Sequence, residues 1–174
     1  MKKNSTERPL RVGLISLGCA KNLVDAEIML GSLMKSGVEI TNDASQADAV
    51  IGNTCSFIDS AQEESVDTIL ESVELRDANQ RGQAVIVSGC LSQRFRDELP
   101  KLMPEVDGFM GIDQVAQVAD IVGKAIANRA TKVESGKRKA ESGKIKQRLN
   151  ELEKNRPLES VVAATALPAQ SMTP

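Results

Sequence analysis

Short apolar runs alternate with segments of helical periodicity along residues 10–128 of the 174-residue chain. Between the runs, apolar residues recur every three or four positions, which is typical of amphipathic helices. The runs are short enough for buried strands, and they fall near residues 11–17, 38–41, 49–53, 84–88 and 106–110. This alternation predicts an α/β fold with a mainly parallel, five-stranded sheet.

The short spacing of these elements favours one particular sheet topology. Right-handed crossovers between successive strands predict a flavodoxin-like, doubly wound sheet with the strand order 2-1-3-4-5 and helices on both faces. In that order the first, third and fourth strands lie side by side at the centre.

The predicted helices have identifiable starts and apolar stripes. Asn22 is a candidate N-cap for a first helix from about residue 23 to residue 36, and a long helix follows near residues 60–77. We expect Ser92 to cap a short helix that carries Phe95 and extends towards Pro104, and Asp113 to cap the last helix of the body. The apolar stripe of the first helix is predicted to be Leu23, Ala26, Leu30, Leu33 and Met34.

The pattern changes near Arg129, which divides the chain into a body at residues 10–128 and an extension at 129–174. Residues 131–144 are rich in charge, Gly and Ser, which indicates a solvated linker, and we expect residues 130–144 to be poorly ordered and protease-sensitive. Ile145, Leu149 and Leu152 are spaced for one short amphipathic helix. The extension as a whole is therefore predicted to be a disordered or partly helical tail.

Composition limits the class of protein. A hydrophobic fraction of 41% and a charged fraction of 26% are those of a globular domain. The apolar runs are shorter than the roughly 18 residues of a membrane span, and residues 1–9 are polar. We therefore expect a cytoplasmic protein with no membrane partner and with reduced cysteines.

Two absences restrict the chemistry. The chain has no histidine, which excludes Ser-His-Asp and Cys-His catalysis and any His-ligated metal site. It has no Trp or Tyr and only three Phe, so nucleic-acid binding by stacked aromatic side chains is not expected.

Charge is unevenly distributed. Residues 1–128 carry 12 basic and 19 acidic side chains, whereas residues 129–156 carry 10 basic and 4 acidic ones. A basic extension of this kind is usually a solvated linker, and weak binding to RNA phosphates is the functional alternative.

All three cysteines of the chain follow predicted strands. Cys19, Cys55 and Cys90 stand at the ends of the first, third and fourth strands, each before a predicted helix. Because the carboxyl ends of parallel strands meet at one edge of a sheet, we expect the three thiols to converge there.

Several interpretations of the three thiols remain open at this point. Cysteine is often a buried apolar residue, but three of three at equivalent positions favour a shared site. The odd count and the expected reducing compartment disfavour a disulfide. Zinc would need a carboxylate or water as its fourth ligand. An iron–sulfur cluster fits better, since thiolate is its usual ligand and three cysteines would leave one iron open.

Three motifs resemble the N-terminal domain of the methylthiotransferases. They are Ser-Leu-Gly-Cys-Ala-Lys-Asn-Leu-Val-Asp-Ala-Glu at 16–27, Asn-Thr-Cys-Ser-Phe-Ile at 53–58 and Ser-Gly-Cys-Leu-Ser-Gln-Arg at 88–94. The Leu-Gly-Cys start and the Phe-Ile after Cys55 favour the RimO-type branch, which adds a methylthio group to an aspartate of a small-subunit ribosomal protein. The resemblance extends over about residues 10–128.

The resemblance implies a cofactor, partners and a substrate. It makes Cys19, Cys55 and Cys90 the ligands of one 4Fe–4S cluster with an open iron. It also implies a radical-SAM domain, with S-adenosylmethionine and a second cluster bound by a Cys-x-x-x-Cys-x-x-Cys loop. No cysteine follows Cys90, so this chain alone is expected to be inactive, truncated before that domain and dependent on a partner chain or missing segment.

A different class of function is a stand-alone flavodoxin-like binding module or iron–sulfur interaction module. A nucleotide or phosphate would then bind at the edge of the sheet where the strands end. Neither Gly-x-Gly-x-x-Gly nor a P-loop pattern follows any predicted strand, which argues against this alternative.

Overall fold

Five parallel strands form one sheet in the computed structural model, which describes residues 8–17, 20–78, 82–135 and 142–154. The strand order is β2-β1-β3-β4-β5, and every pair is parallel, so the predicted fold class and strand order are confirmed. The strands are β1 (Arg11–Ser16), β2 (Glu39–Ile40), β3 (Ala49–Thr54), β4 (Ala84–Gly89) and β5 (Gly108–Phe109). All six residues of β4 are buried, as expected for a central strand covered on both faces.

Helices cover both faces of this sheet. Short 3-10 helices at Ala44–Gln46 and Ile112–Gln117 complete the connections. No helix in the described ranges has both the length and the apolarity that a membrane span requires. The α-helices are α1 (Ala20–Lys35), α2 (Asp59–Ala78), α3 (Cys90–Arg94), α4 (Leu99–Leu102), α5 (Val118–Ser135) and α6 (Ser142–Lys154).

The core has two halves, one on each face of the sheet. Val85 and Val87 of β4 point to the half built from α2, α3, α4 and α6, whereas Ile86 points to the half built from α1 and α5. Successive side chains of a strand point to opposite faces of the sheet. The helix after β1, α1, and the helix after β3, α2, therefore lie on opposite faces.

The buried stripe of α1 differs from the predicted one. Ala26 and Leu33 are buried as expected, but Leu23 is 57% exposed and Met34 is 66% exposed. Their places on the buried face are taken by Asn22 and Met29, both fully buried. The prediction was wrong by about one residue because it counted apolar side chains and did not anticipate a buried asparagine on this helix.

The segment after Cys90 also differs from its prediction. Two short helices, α3 and α4, replace the single predicted helix, with a turn at residues 95–98 between them. Ser92 lies within α3 and does not cap it. Phe95 and Leu99 nevertheless pack into the core as expected.

The last body helix, α5, continues past the predicted boundary at residue 128. Arg129 is 7% exposed and pairs with Asp77 at 3.2 Å. The Lys132 ammonium donates to the carbonyls of Pro104, at 2.9 Å, and Val106. These contacts hold residues 129–132 against the body, so the first part of the predicted linker is helical.

A buried ion pair lies near Arg129, at the amino end of β4. Arg76 and Asp107 are joined at 2.9 Å, and both side chains are fully buried. Asp107 also accepts a hydrogen bond from the backbone N–H of Val85, at 2.9 Å. Burial raises the pKa of Asp107, and burial likewise lowers the pKa of Lys132.

The amphipathic helix predicted in the extension is present as α6, and it packs on the body. Ile145 and Leu149 are 2% and 0% exposed within the half of the core that contains α2. Lys146 pairs with Asp67 of α2 at 2.7 Å. The other predicted parts of the tail, residues 136–141 and 155–174, lie outside the described residues.

Candidate functional site

The register of the sheet brings two of the three cysteines to the same edge. Thr54, the last residue of β3, pairs with Gly89, the last residue of β4, and Cys55 and Cys90 directly follow these two residues in the chain. Cys19 lies outside the described residues. Leu17, two residues before it, donates a backbone hydrogen bond to the carbonyl of Asn53 at 2.9 Å, and α1 begins at Ala20, directly after it. The described segments on either side of Cys19 therefore reach this edge.

Gly89 allows β3 and β4 to approach closely just before their cysteines. Its φ of 95° and ψ of −161° belong to a region that is essentially limited to glycine. A Cβ at this position would lie 2.3 Å from the carbonyl oxygen of Thr54. Any other residue would separate the strand ends that carry Cys55 and Cys90.

The backbone of Cys55 is fixed by one hydroxyl of α2. Ser65 is fully buried, and its Oγ accepts from the N–H of Cys55 at 3.1 Å. The same oxygen lies 2.9 Å from the carbonyl of Cys55 and 2.8 Å from that of Ala61, its two possible acceptors. Cys55 itself is 3% exposed, and Cys90 is partly exposed.

A buried asparagine connects the segments of all three cysteines. The Nδ2 group of Asn22 donates to the carbonyls of Leu17 at 2.7 Å and Thr54 at 2.9 Å. Because these two acceptors fix the amide, its oxygen faces Cys90, whose Sγ lies 3.8 Å away. The side-chain amide of Asn53 in turn donates to the backbone carbonyl of Asn22 at 2.7 Å.

Sequence reasoning missed this role of Asn22. A polar residue at the start of a helical pattern predicts an N-cap, but α1 already begins at Ala20 and the Asn22 side chain points into the protein. The sequence does contain one signal for this role: Asn22 lies three residues after Cys19, and a second asparagine, Asn53, lies two residues before Cys55. That signal indicates a buried amide pair only once β1 and β3 are known to be neighbours.

Apolar side chains are exposed around the same edge. Phe57 is 87% exposed and Ile58 is 56% exposed in the loop after Cys55. Leu23 and Val24, in the first turns of α1, are 57% and 55% exposed. Large apolar residues on two neighbouring segments are typical of a surface that contacts another polypeptide.

The residues at this edge are of the chemical type that binds a metal group through thiolates. Cys55 and Cys90 form no disulfide with each other, and the sequence contains no histidine. The Oδ1 atom of Asn53 is buried there without a hydrogen-bond partner among the described residues. Those residues hold no group of three or more Cys, His, Asp or Glu placed to bind a metal ion, and Cys19 is not among them.

Comparison with known proteins identifies the family. Residues 11–111 match the model of the uncharacterized protein family UPF0004. Two proteins named ribosomal protein uS12 methylthiotransferase RimO are similar, from Akkermansia muciniphila with 54% identity over 116 residues and from Opitutus terrae with 51% over 128 residues. These alignments cover 66% and 72% of this chain but only 26% and 27% of the relatives, so the chain spans about a quarter of their length. As its three cysteine motifs predict, the chain belongs to the UPF0004 family, the N-terminal domain of the methylthiotransferases.

Proposed function

We propose that this chain is the iron–sulfur domain of a RimO-type methylthiotransferase, with one 4Fe–4S cluster bound by Cys19, Cys55 and Cys90. The observation that carries the proposal is the register of β3 and β4, in which Thr54 pairs with Gly89 and Cys55 and Cys90 are the residues that follow them in the chain. The similarity to proteins named RimO gives independent support.

The surroundings of the cysteines support a prearranged site. Asn22 and Asn53 join the segments before Cys19 and Cys55 by hydrogen bonds that need no metal. Ser65 fixes the backbone at Cys55. Sites whose ligands are held in place by surrounding hydrogen bonds bind metal groups more tightly than flexible ones.

A cluster held by three cysteines would supply one iron open to a sulfur-containing ligand. The protein side chains would hold the cluster, orient it towards the edge of the sheet and keep water from Cys55, which is 3% exposed. No cysteine beyond these three is present to bind a second cluster.

We further propose that the chain is inactive alone and works in the cytoplasm with a radical-SAM domain, on a ribosomal protein substrate. The two relatives act on ribosomal protein uS12 by name, and about three quarters of their length has no counterpart here. The apolar edge formed by Leu23, Val24, Phe57 and Ile58 is a suitable contact surface for that domain.

Anaerobic reconstitution tests the cluster proposal. The purified chain is incubated with ferrous iron, sulfide and a thiol reductant, desalted, and analysed for iron and sulfide. The proposal predicts about four of each per chain and a brown absorbance from sulfur-to-iron charge transfer. The control is the variant with all three cysteines replaced by Ser. Equal iron in both proteins would contradict the proposal.

A further inference from the structure

One arginine connects the segments of Cys55 and Cys90. Arg94 is the last residue of α3, four residues after Cys90, and its Nη1 donates to the backbone carbonyl of Ser56 at 2.7 Å. Ser56 follows Cys55 directly and is only 4% exposed. The Arg94 side chain therefore ties the loop after β3 to the helix after β4.

The other terminal nitrogen of the same guanidinium, Nη2, binds a residue of α6. Nη2 of Arg94 pairs with the Glu153 carboxylate, and both side chains are a little over one quarter exposed. Gln62 of α2 also donates to Asn150 of α6, at 3.2 Å. Because α6 lies outside the family-matched residues 11–111, this link is made by a part of the chain that the family model does not include.

We propose that Arg94 is a positioning residue for Cys55, and that α6 holds Arg94 in place through Glu153. The inference rests on the proposed function in assigning Cys55 as a cluster ligand. A guanidinium can bond two acceptors at once in a fixed plane. Its bond to Glu153 restricts its rotamers to those that reach Ser56. Docking of α6 thereby keeps the loop closed over Cys55.

Alkylation of the metal-free chain tests the link without requiring a cluster. The full chain is treated with iodoacetamide, and modification of each cysteine is followed by mass spectrometry. Modification of a buried thiol reports how often its loop opens. We expect Glu153→Gln to raise the rate at Cys55 by about two- to fivefold, the range for a partly exposed ion pair. Arg94→Gln, which also removes the bond to Ser56, should raise it by about tenfold or more.

Asp67→Asn is the matched control. It makes the same change of carboxylate to amide and removes the ion pair between Asp67 and Lys146, which joins α2 to α6 at 2.7 Å. It leaves Arg94 and Glu153 untouched, so the rate at Cys55 should rise by clearly less than the roughly two- to fivefold expected for Glu153→Gln. Equal rates for Glu153→Gln and Asp67→Asn would overturn the inference, as would an equal acceleration at Cys90, which indicates general loosening.

Iron loss to a chelator gives a second measurement on the reconstituted chain. The inference predicts faster loss from Glu153→Gln than from Asp67→Asn, and equal loss would contradict it. If the natural chain takes up no cluster, the proposed function fails, but the alkylation rates still decide whether Arg94 and Glu153 control access to Cys55.

Discussion

The side-chain amide of Asn22 donates to the backbone carbonyl of Thr54 at 2.9 Å, across 32 residues of sequence. The same amide donates to the carbonyl of Leu17 at 2.7 Å. These two carbonyls precede Cys19 and Cys55 in the chain. A fully buried Asn22 therefore fixes the relative positions of two of the cysteine-bearing segments.

Replacing Asn22 by Ala should destabilise the domain. The variant leaves the buried carbonyl of Thr54 and the partly buried carbonyl of Leu17 without this donor, which costs about 2–3 kcal/mol in the free energy of unfolding. Urea denaturation measures the change. Asn42→Ala, at an exposed position, is the control and should change the value by less than about 0.5 kcal/mol. Equal changes in the two variants would refute the structural role of Asn22.

Replacing Gly89 by Ala should be more damaging. The positive φ and the contact of a Cβ with Thr54 both oppose the change, so we expect a loss of about 3 kcal/mol or more in the free energy of unfolding. Gly82→Ala is the control, since a Cβ there meets nothing within 4 Å. Thermal and urea denaturation of both variants check this prediction. A stable Gly89→Ala protein would show that the strand ends do not need this close approach.

The docking of α6 can be tested at Leu149, which is fully buried. Leu149→Ala should weaken the docking of α6 by about 2–3 kcal/mol, because it removes core contacts with α2. Trypsin cleavage after Lys146 or Arg148 should then be much faster. Leu75→Ala, at a side chain that is 56% exposed, is the control. Similar cleavage rates for the two variants would mean that α6 does not depend on this contact.

The buried carboxyl of Asp107 predicts a dependence of stability on pH. Its folded-state pKa lies above the ordinary value of 3.8, because burial outweighs the N–H of Val85 and the guanidinium of Arg76. At a pH between the unfolded-state pKa and the raised folded-state pKa, the folded protein therefore binds more protons than the unfolded chain. The stability that comes from protonating Asp107 is fully present below the unfolded-state pKa and is lost as pH rises through the folded-state pKa.

The test compares the natural chain with Asp107→Asn by urea denaturation from about pH 4 to about pH 7. The difference in the free energy of unfolding between the two proteins isolates the titration of Asp107. The free energy of unfolding of the natural chain, relative to that of Asp107→Asn, should decrease as pH rises. An increase over this range would mean that the pKa of Asp107 is lowered on folding.

The sheet could be predicted from the sequence because its signal is local. Each strand is a short apolar run, and the spacing of the runs allows few topologies, so the predicted strand order is confirmed and Cys55 and Cys90 directly follow β3 and β4. The local pattern of apolar residues did not predict which face of α1 is buried. Its buried face contains Asn22, whose partners Leu17 and Thr54 become neighbours only after β1 and β3 pair.

The extension could be predicted only in part, for a related reason. The apolar spacing of α6 is visible in the sequence, but its docking depends on contacts with α2 and α3, more than fifty residues away. The continuation of α5 depends on Arg129 and Lys132, which resemble solvated linker charges until Asp77 and the carbonyls of Pro104 and Val106 are placed beside them. Such long-range pairings of charge have no periodic signature.

The most direct test of a single shared cluster site is iron retention by the three single variants Cys19→Ser, Cys55→Ser and Cys90→Ser after anaerobic reconstitution. Each variant should lose nearly as much iron as the triple variant, because a cluster left with two ligands is labile, and circular dichroism should show that each is folded. Cysteines that only fill the core would instead act independently and additively. If all three single variants retain iron at the level of the natural chain, the shared site does not exist.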